Sequence, residues 1–405
     1  MITFTIMSIL IVGASVAGTR TAIALRQRGF AGPITLVESE QHWPYDKPPL
    51  SKDLLAEGHT PEVPRLLTPE LAAELDLDVR LGVRATALDP ARQVVVTHTG
   101  EEISYERLVI ATGARARSLP VPPGLTGVHT LRTLDDSTAL RDALAGKPRV
   151  AVVGAGFIGA EFASAARLRG LDVTVIEALA VPMSPILGDE VGREVSSIHA
   201  LNGTELVTEA RVERFLGSAR VEGVALADGR AVPADLVVVG VGATPNTHWL
   251  EGSGLPVDHD GVHCTERYEI PGFPSIFAIG DLAVRPHPLL GVRARIEHWT
   301  SAGEQADAVA SILTGAEPPA PQLPYVWSDQ YGSRIQIVGR PSLGELAHRE
   351  GSMAEGYFRA VYVDTDENPI AQVSVNNAKA VAAFRKIYRR GGSLTDLVGE
   401  QTPAR

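Results

Sequence analysis

Two glycine clusters in this chain have the residue types and spacing that suit a dinucleotide pyrophosphate. Gly13-Ala14-Ser15-Val16-Ala17-Gly18 follows the apolar run Ser8-Ile9-Leu10-Ile11-Val12, and Gly154-Ala155-Gly156-Phe157-Ile158-Gly159 follows Val150-Ala151-Val152-Val153. A strand that ends in a glycine turn and opens a helix offers bare backbone N–H groups to phosphate. One short apolar run later each cluster is followed by an acid, Glu38 after residues 34–37 and Glu177 after residues 173–176. An acid at that distance accepts hydrogen bonds from an adenosine ribose. At Glu177 a 2′-phosphate would meet a carboxylate at close range, and no Lys or Arg lies between Leu171 and Gly192 to offset it. The second site is therefore expected to take NADH rather than NADPH.

Taken alone, the first cluster reads equally as an ordinary strand, turn and helix with a glycine cap, since Ser15 stands in place of the middle glycine. Two distant segments decide between these readings. Leu108-Val109-Ile110-Ala111-Thr112-Gly113 has the form of a strand entering a tight turn, and Ser275-Ile276-Phe277-Ala278-Ile279-Gly280-Asp281 ends a later strand in a Gly-Asp pair. In two-dinucleotide flavoenzymes an Ala-Thr-Gly turn leads out of the FAD domain, and a Gly-Asp element sets a carboxylate on the flavin's ribityl chain. The three elements in this order predict FAD at the first site.

The elements that must position these residues fit an α/β chain. Its 405 residues suffice for two or three domains, and 44% hydrophobic with 21% charged residues is an ordinary globular composition. A net charge of −11 argues against a nucleic-acid binder, although a local basic patch can still meet an acidic partner. The start of the chain has no Lys or Arg before Arg20 and runs into the glycine turn, so residues 1–18 read as a buried first strand rather than a signal peptide. No stretch approaches the ~18 apolar residues of a membrane helix, and the expected compartment is the cytoplasm. Cys264 is the only cysteine, which excludes an internal disulfide and a redox-active cysteine pair and marks Cys264 as a passive strand residue. The histidines show no metal-ligand spacing, so no metal is expected.

Further segments raise a resemblance. Trp43-Pro44-Tyr45-Asp46-Lys47-Pro48-Pro49-Leu50-Ser51-Lys52, Leu131-Arg132-Thr133-Leu134-Asp135-Asp136, Gly242-Ala243-Thr244-Pro245-Asn246, Glu297-His298-Trp299 and Tyr325-Val326-Trp327-Ser328-Asp329-Gln330-Tyr331 occur in that order. With the glycine clusters, they make the chain resemble, almost end to end, the FAD-dependent NADH:ferredoxin reductases of bacterial oxygenase systems. Where related disulfide reductases carry cysteines, this chain carries prolines and Lys52. Ser15 and Lys47 replace a more usual glycine and arginine, and Ala180-Val181-Pro182 stands where a basic residue often follows the ribose-binding acid.

The resemblance implies an α/β fold with two Rossmann-like, glutathione reductase-like dinucleotide-binding domains and a C-terminal α+β domain. The expected boundaries are 1–115 with 246–320 for FAD, 116–245 for NADH, and 321–405 for the third domain, after a Pro-rich linker at 315–321. In that last domain residues 334–339, 353–363 and 371–375 read as strands and 378–390 as a helix. FAD contacts are expected at Gly13, Ser15, Ala17, Gly18, Glu38, Lys47, Pro48, Lys52, Ala85, Ala111, Thr112, Gly113, Arg132, Gly280, Asp281, Glu297, His298 and Trp299. NADH contacts are expected at Gly154, Gly156, Phe157, Ile158, Gly159, Glu177 and Gly242, with Ile158 and Glu161 framing nicotinamide access.

The implied reaction moves hydride from NADH to FAD and then single electrons to a [2Fe–2S] ferredoxin that feeds a cytochrome monooxygenase or ring-hydroxylating dioxygenase. It needs no general base or nucleophile, and no Ser/His/Asp or Cys/His set is evident. Lys52 is the expected tuning cation, paired with Glu161 while the site is empty; the alternative is a lysine capping the helix after Leu50. Trp299 and Trp327 are expected at the flavin, with Trp327 also facing the ferredoxin, against the default of core packing. His298 reads equally as a structural histidine. Lys379, Arg385, Lys386, Arg389 and Arg390, in a run without acids, together with Arg293 and Arg295, are the expected docking charges; such a run is also what a solvated helix face looks like. A rubredoxin acceptor, or an NADH-binding redox sensor, are the competing functions.

Overall fold

The computed structural model describes residues 7–58 and 62–398. Residues 1–6, read above with the first strand, lie outside them. The chain divides into two compact units: Met1–Asp46, Val63–Arg115 and Ala243–Pro324 form one, and Lys47–Glu62, Ala116–Gly242 and Tyr325–Arg405 form the other.

The first unit is built on a six-stranded sheet in the order Glu269–Ile270, Phe273–Ala278, Arg107–Ile110, Ile9–Val12, Ile34–Val37, Asp78–Arg80. All but the first pair run parallel. The central strand Ile9–Val12 is buried on both faces, which is why it reads as an unbroken apolar run. Side chains alternate across a strand. Ile9 and Ile11 accordingly enter a core shared with the helices Val16–Gln27 and Trp299–Leu313. Leu10 and Val12 enter a second core, with Leu88, Val95 and Ile103 of the antiparallel sheet Ala85–Asp89, Val94–Thr97, Glu102–Ser104. The first helix begins at Val16, because the glycine turn leads straight into it.

The second unit repeats this arrangement. Its parallel sheet runs Glu205–Val207, Val173–Ile176, Val150–Val153, Leu236–Val239, Val128–His129. The same unit holds a five-stranded antiparallel sheet in the order Tyr325–Gln330, Ser333–Gly339, Pro369–Val375, Tyr357–Val363, Glu345–Ser352. The inner face of this sheet, with Ile335, Phe358, Tyr362 and Val373, packs on Val191, Val195 and Ile198 of the helix Asp189–Leu201. The helix Ala378–Arg389 follows, capped by the Asn377 side chain on the Ala380 N–H at 3.0 Å.

Two expectations need correction here. The strand read at 353–363 is two elements: Met353–Gly356 form the turn, with Gly356 at φ +70°, and the strand begins at Tyr357. Its partner Glu345–Ser352 carries no strand signal in the sequence because one side of this edge strand is exposed throughout and the other only half-buried, leaving no apolar alternation to read. Lys52 caps no helix; it joins two 3₁₀ turns, Pro48–Ser51 and Asp53–Leu55, and its side chain makes no cap bond. Among the described residues no helix is long and apolar enough to cross a membrane.

Candidate active site

In both units the glycine turn emerges at the carboxyl edge of the parallel sheet, where open α/β sheets bind ligands. In the first, Gly13 N–H bonds Val37 C=O at 2.8 Å, Ala111 N–H bonds Val12 C=O at 2.8 Å, and Ile279 N–H bonds Ile110 C=O at 3.0 Å. These bonds bring the Gly13–Gly18 turn, the Ala111-Thr112-Gly113 turn and the Gly280-Asp281 pair to one edge. In the second, Gly154 N–H bonds Ile176 C=O at 2.8 Å and Gly240 N–H bonds Val153 C=O at 2.7 Å.

The two acids do the same job in their own units. Glu38 Oε2 accepts the Ala14 N–H at 2.8 Å and Oε1 accepts the Glu40 N–H at 3.1 Å. Glu177 Oε2 accepts the Ala155 N–H at 2.8 Å and Oε1 accepts the Leu179 N–H at 2.9 Å. Each carboxylate therefore ties its glycine turn to the end of the neighbouring strand, and its remaining lone pairs are available to a ribose.

The glycines separate into two kinds. A Cβ on Gly13 would lie 2.3 Å from Ala111 O, and one on Gly18 would lie 1.8 Å from Gly13 O. Gly154 and Gly159 show the same crowding, at 2.4 Å from Gly240 O and 2.0 Å from Gly154 O. These four let backbone pack on backbone. A Cβ on Gly156 would meet nothing within 4 Å, so the space it leaves faces away from the protein, as close approach of a pyrophosphate requires. The residues present thus fit a dinucleotide in each unit. Ile158, in the first turn of the helix Phe157–Leu168, is 43% exposed, consistent with a place at the mouth of that site.

Glu161, one turn further along the same helix, is the centre of a buried charge cluster in the second unit. It is 5% exposed. Its Oε2 accepts the Ser51 hydroxyl at 2.5 Å, its Oε1 accepts the Ser328 hydroxyl at 2.7 Å, and Lys52 Nζ lies 3.3 Å away. Lys52 also lies 3.4 Å from Asp329, which Arg334 binds at 2.7 Å. A buried carboxylate is tolerable only when paired and hydrogen-bonded, and two carboxylates against two cations here are balanced. Burial alone would raise the Asp329 pKa, but the Arg334 hydrogen bond and the Lys52 charge hold it below the ordinary value. The Lys52 ammonium also lies 5.6 Å from the Trp327 ring centroid. Three of the expected catalytic residues, Lys52, Glu161 and Trp327, are thus in one cluster. Ser51, Ser328 and Asp329 belong to it too. Sequence reasoning gave them no role, although each is in or beside a motif it quoted.

Trp299 is placed in the first unit, at the start of the helix Trp299–Leu313. Its Nε1–H donates to Asp46 Oδ1 at 2.6 Å, and the Arg20 guanidinium lies 4.3 Å from its ring centroid. Gly303 makes room for that arginine, since a Cβ there would sit 2.3 Å from Arg20 Nη1. Gly280 N–H is held by Gln305 Oε1 at 2.8 Å. Arg295 pairs with Glu297 and donates to the Asp281 carbonyl at 2.9 Å, and Arg293 donates to Cys264 O at 3.0 Å. Both arginines are thus engaged within their own unit. Burial pushes the Cys264 thiol up to about 12, which leaves it unreactive.

In the second unit Arg132 precedes the helix Leu134–Ala145, whose Thr133–Asp136 capping box also accepts its N–H at 2.9 Å. Lys47 and Pro48 open the 3₁₀ turn before Lys52, and Gly242 is exposed at φ +96°. On the C-terminal helix Lys379, Lys386, Arg389 and Arg390 are exposed, whereas Arg385 is half-buried over the Tyr325 ring.

Residues 7–306 match the family described as pyridine nucleotide-disulphide oxidoreductase. The chain belongs to that family. Residues 325–398 match the reductase C-terminal family. With Cys264 its only cysteine, this member of the oxidoreductase family has no internal disulfide. Rhodocoxin reductase of Rhodococcus erythropolis is 36% identical over 391 residues, 96% of this chain and 91% of the relative. The ferredoxin–NAD(+) reductase component of the biphenyl dioxygenase system of Paraburkholderia xenovorans is 38% identical, covering 82% of this chain and 81% of its own. The crystal structure of the covalent putidaredoxin reductase–putidaredoxin complex matches with a TM-score of 0.92 at 32% identity, covering 98% and 97% of the two chains.

Proposed function

We propose that this chain takes hydride from NADH onto FAD and passes electrons singly to a [2Fe–2S] ferredoxin that feeds an oxygenase. The observation that carries the reading is the pair of acid-clamped glycine turns, one in each unit. It is supported by relatives that are ferredoxin–NAD(+) reductase components along most of their length. FAD supplies an acceptor that takes a hydride whole and gives up electrons one at a time.

The chain's own residues bind and orient. Glu38 and the Gly13–Gly18 turn hold the adenosine and pyrophosphate of FAD, with Asp281 for the ribityl chain. Glu177 and the Gly154–Gly159 turn hold NADH and disfavour a 2′-phosphate. Lys52 is the cation proposed to favour the reduced flavin, and Glu161 holds its charge in place. The functional division we propose is 1–115 with 246–320 for FAD, 116–245 for NADH and 321–405 for the third domain. We place the reaction in the cytoplasm, where NADH is at hand.

Anaerobic stopped-flow tests the reading. Rapid bleaching of the purified yellow protein by NADH but not NADPH, then stepwise one-electron reoxidation by a [2Fe–2S] ferredoxin, is the expected result. A reduced protein that persists in the presence of the ferredoxin would overturn it.

A further inference from the structure

The basic C-terminal helix reaches Trp327 through a single ring. Tyr325 and Trp327 are two residues apart on one strand, so their side chains leave the same face of the sheet. Their rings lie 6.0 Å apart at an interplanar angle of 24°, an offset stack. The Arg385 guanidinium, from the helix Ala378–Arg389, is 4.5 Å from the Tyr325 centroid. Both it and Lys52 over Trp327 are within the range at which a π face holds a cation. Gln336 Nε2–H donates to the Tyr325 hydroxyl at 2.7 Å, which fixes the far end of that ring.

Arg385 differs from its neighbours in a way that bears on its role. A docking charge is best exposed, as Lys386 and Arg389 are; Arg385 is half-buried against an aromatic face. A planar guanidinium stacks on a ring in a way an ammonium does not. We propose that Arg385 is a positioning residue that holds Tyr325 against Trp327, setting the orientation of the Trp327 ring and tying it to the helix that carries the exposed basic charge. The functional part of this proposal rests on the reading that this charge meets ferredoxin.

The test uses the FAD-loaded protein, with Trp327→Phe to assign the Trp327 share of the emission. Arg385→Lys keeps the charge and loses the stack. It is expected to shift the Trp327 emission and to lower kcat with ferredoxin roughly threefold, as the planar stack that fixes the ring is lost, with KM and its salt dependence unchanged. Tyr325→Leu should reproduce the fall in kcat, and adding Arg385→Lys to it should cost nothing more. An unchanged Trp327 emission in Arg385→Lys overturns the proposal whatever the rates do. So does a rise in ferredoxin KM without loss of kcat, which would make the Arg385 guanidinium a direct docking contact rather than a positioning group. If the parent protein fails to reduce ferredoxin, the functional reading falls, while the emission still decides whether Arg385 positions Trp327.

Discussion

Replacing Glu177 by Gln removes one charge and, because of the geometry around it, more than a charge. The two carboxylate oxygens accept separate backbone N–H groups, from Ala155 at 2.8 Å and Leu179 at 2.9 Å. An amide has one acceptor oxygen, so one of those donors must face an NH₂ group. A ribose hydroxyl that donates to the carboxylate would then meet a neutral amide, and loss of a hydrogen bond to a charged group costs about 1.5–3 kcal/mol. Glu177 is half-buried, so water replaces part of the loss and the lower end of that range applies. At 1.4 kcal/mol per factor of ten, KM for NADH should rise about tenfold, with kcat at saturating NADH little changed. Removing the carboxylate also removes the repulsion of a 2′-phosphate, so the preference for NADH over NADPH should narrow. Steady-state rates with ferricyanide as acceptor measure both. An unchanged KM for NADH together with an undiminished preference would refute the argument that Glu177 both clamps the turn and reads the ribose. Glu38→Gln strikes the equivalent bonds from Ala14 and Glu40 and serves as the control, weakening FAD retention instead.

Four further outcomes are expected. Lys52→Met should lower the flavin midpoint potential by on the order of 30 mV or more, about 1.4 kcal/mol for a two-electron couple; an unchanged potential and hydride-transfer rate would end the tuning role. Glu161→Ala orphans the Ser51 and Ser328 hydroxyls and half of the Lys52 pairing, which should cost about 3 kcal/mol of stability and show as a lower thermal midpoint, with Glu161→Gln less affected. Burial lowers the His199 pKa from the usual 6.5 to about 4, so the unfolded chain takes up a proton that the folded chain refuses. The stability this histidine contributes is complete above pH 6.5 and is lost as pH falls towards 4, by up to about 3 kcal/mol. Urea midpoints should fall over that window, and less so in His199→Gln. Ferredoxin turnover should drop steeply with ionic strength through the exposed Lys379, Lys386, Arg389 and Arg390, whereas a flat salt dependence would remove them as docking charges.

Local chemistry was legible wherever one short segment carries it. Glycine turns after apolar runs, the acids at Glu38 and Glu177, and the Ala111-Thr112-Gly113 and Gly280-Asp281 elements all declare themselves within a few residues, because backbone phosphate binding is a local device. The edge strand Glu345–Ser352 did not, since a strand with little buried surface has no hydrophobic period to read.

The sequence by itself therefore determined the fold class, the two dinucleotide turns and the absence of an internal disulfide. Tertiary structure alone decided who shares each charge. Ser51, Glu161, Ser328 and Asp329 are drawn around Lys52 from three separate stretches of chain. The same folding turned Arg385 from one of a row of basic residues into the cation over Tyr325. The physical reason is common to both. Backbone turns are specified by neighbours in sequence, whereas a buried ion or a stacked ring is satisfied only by groups that packing brings within a few ångströms.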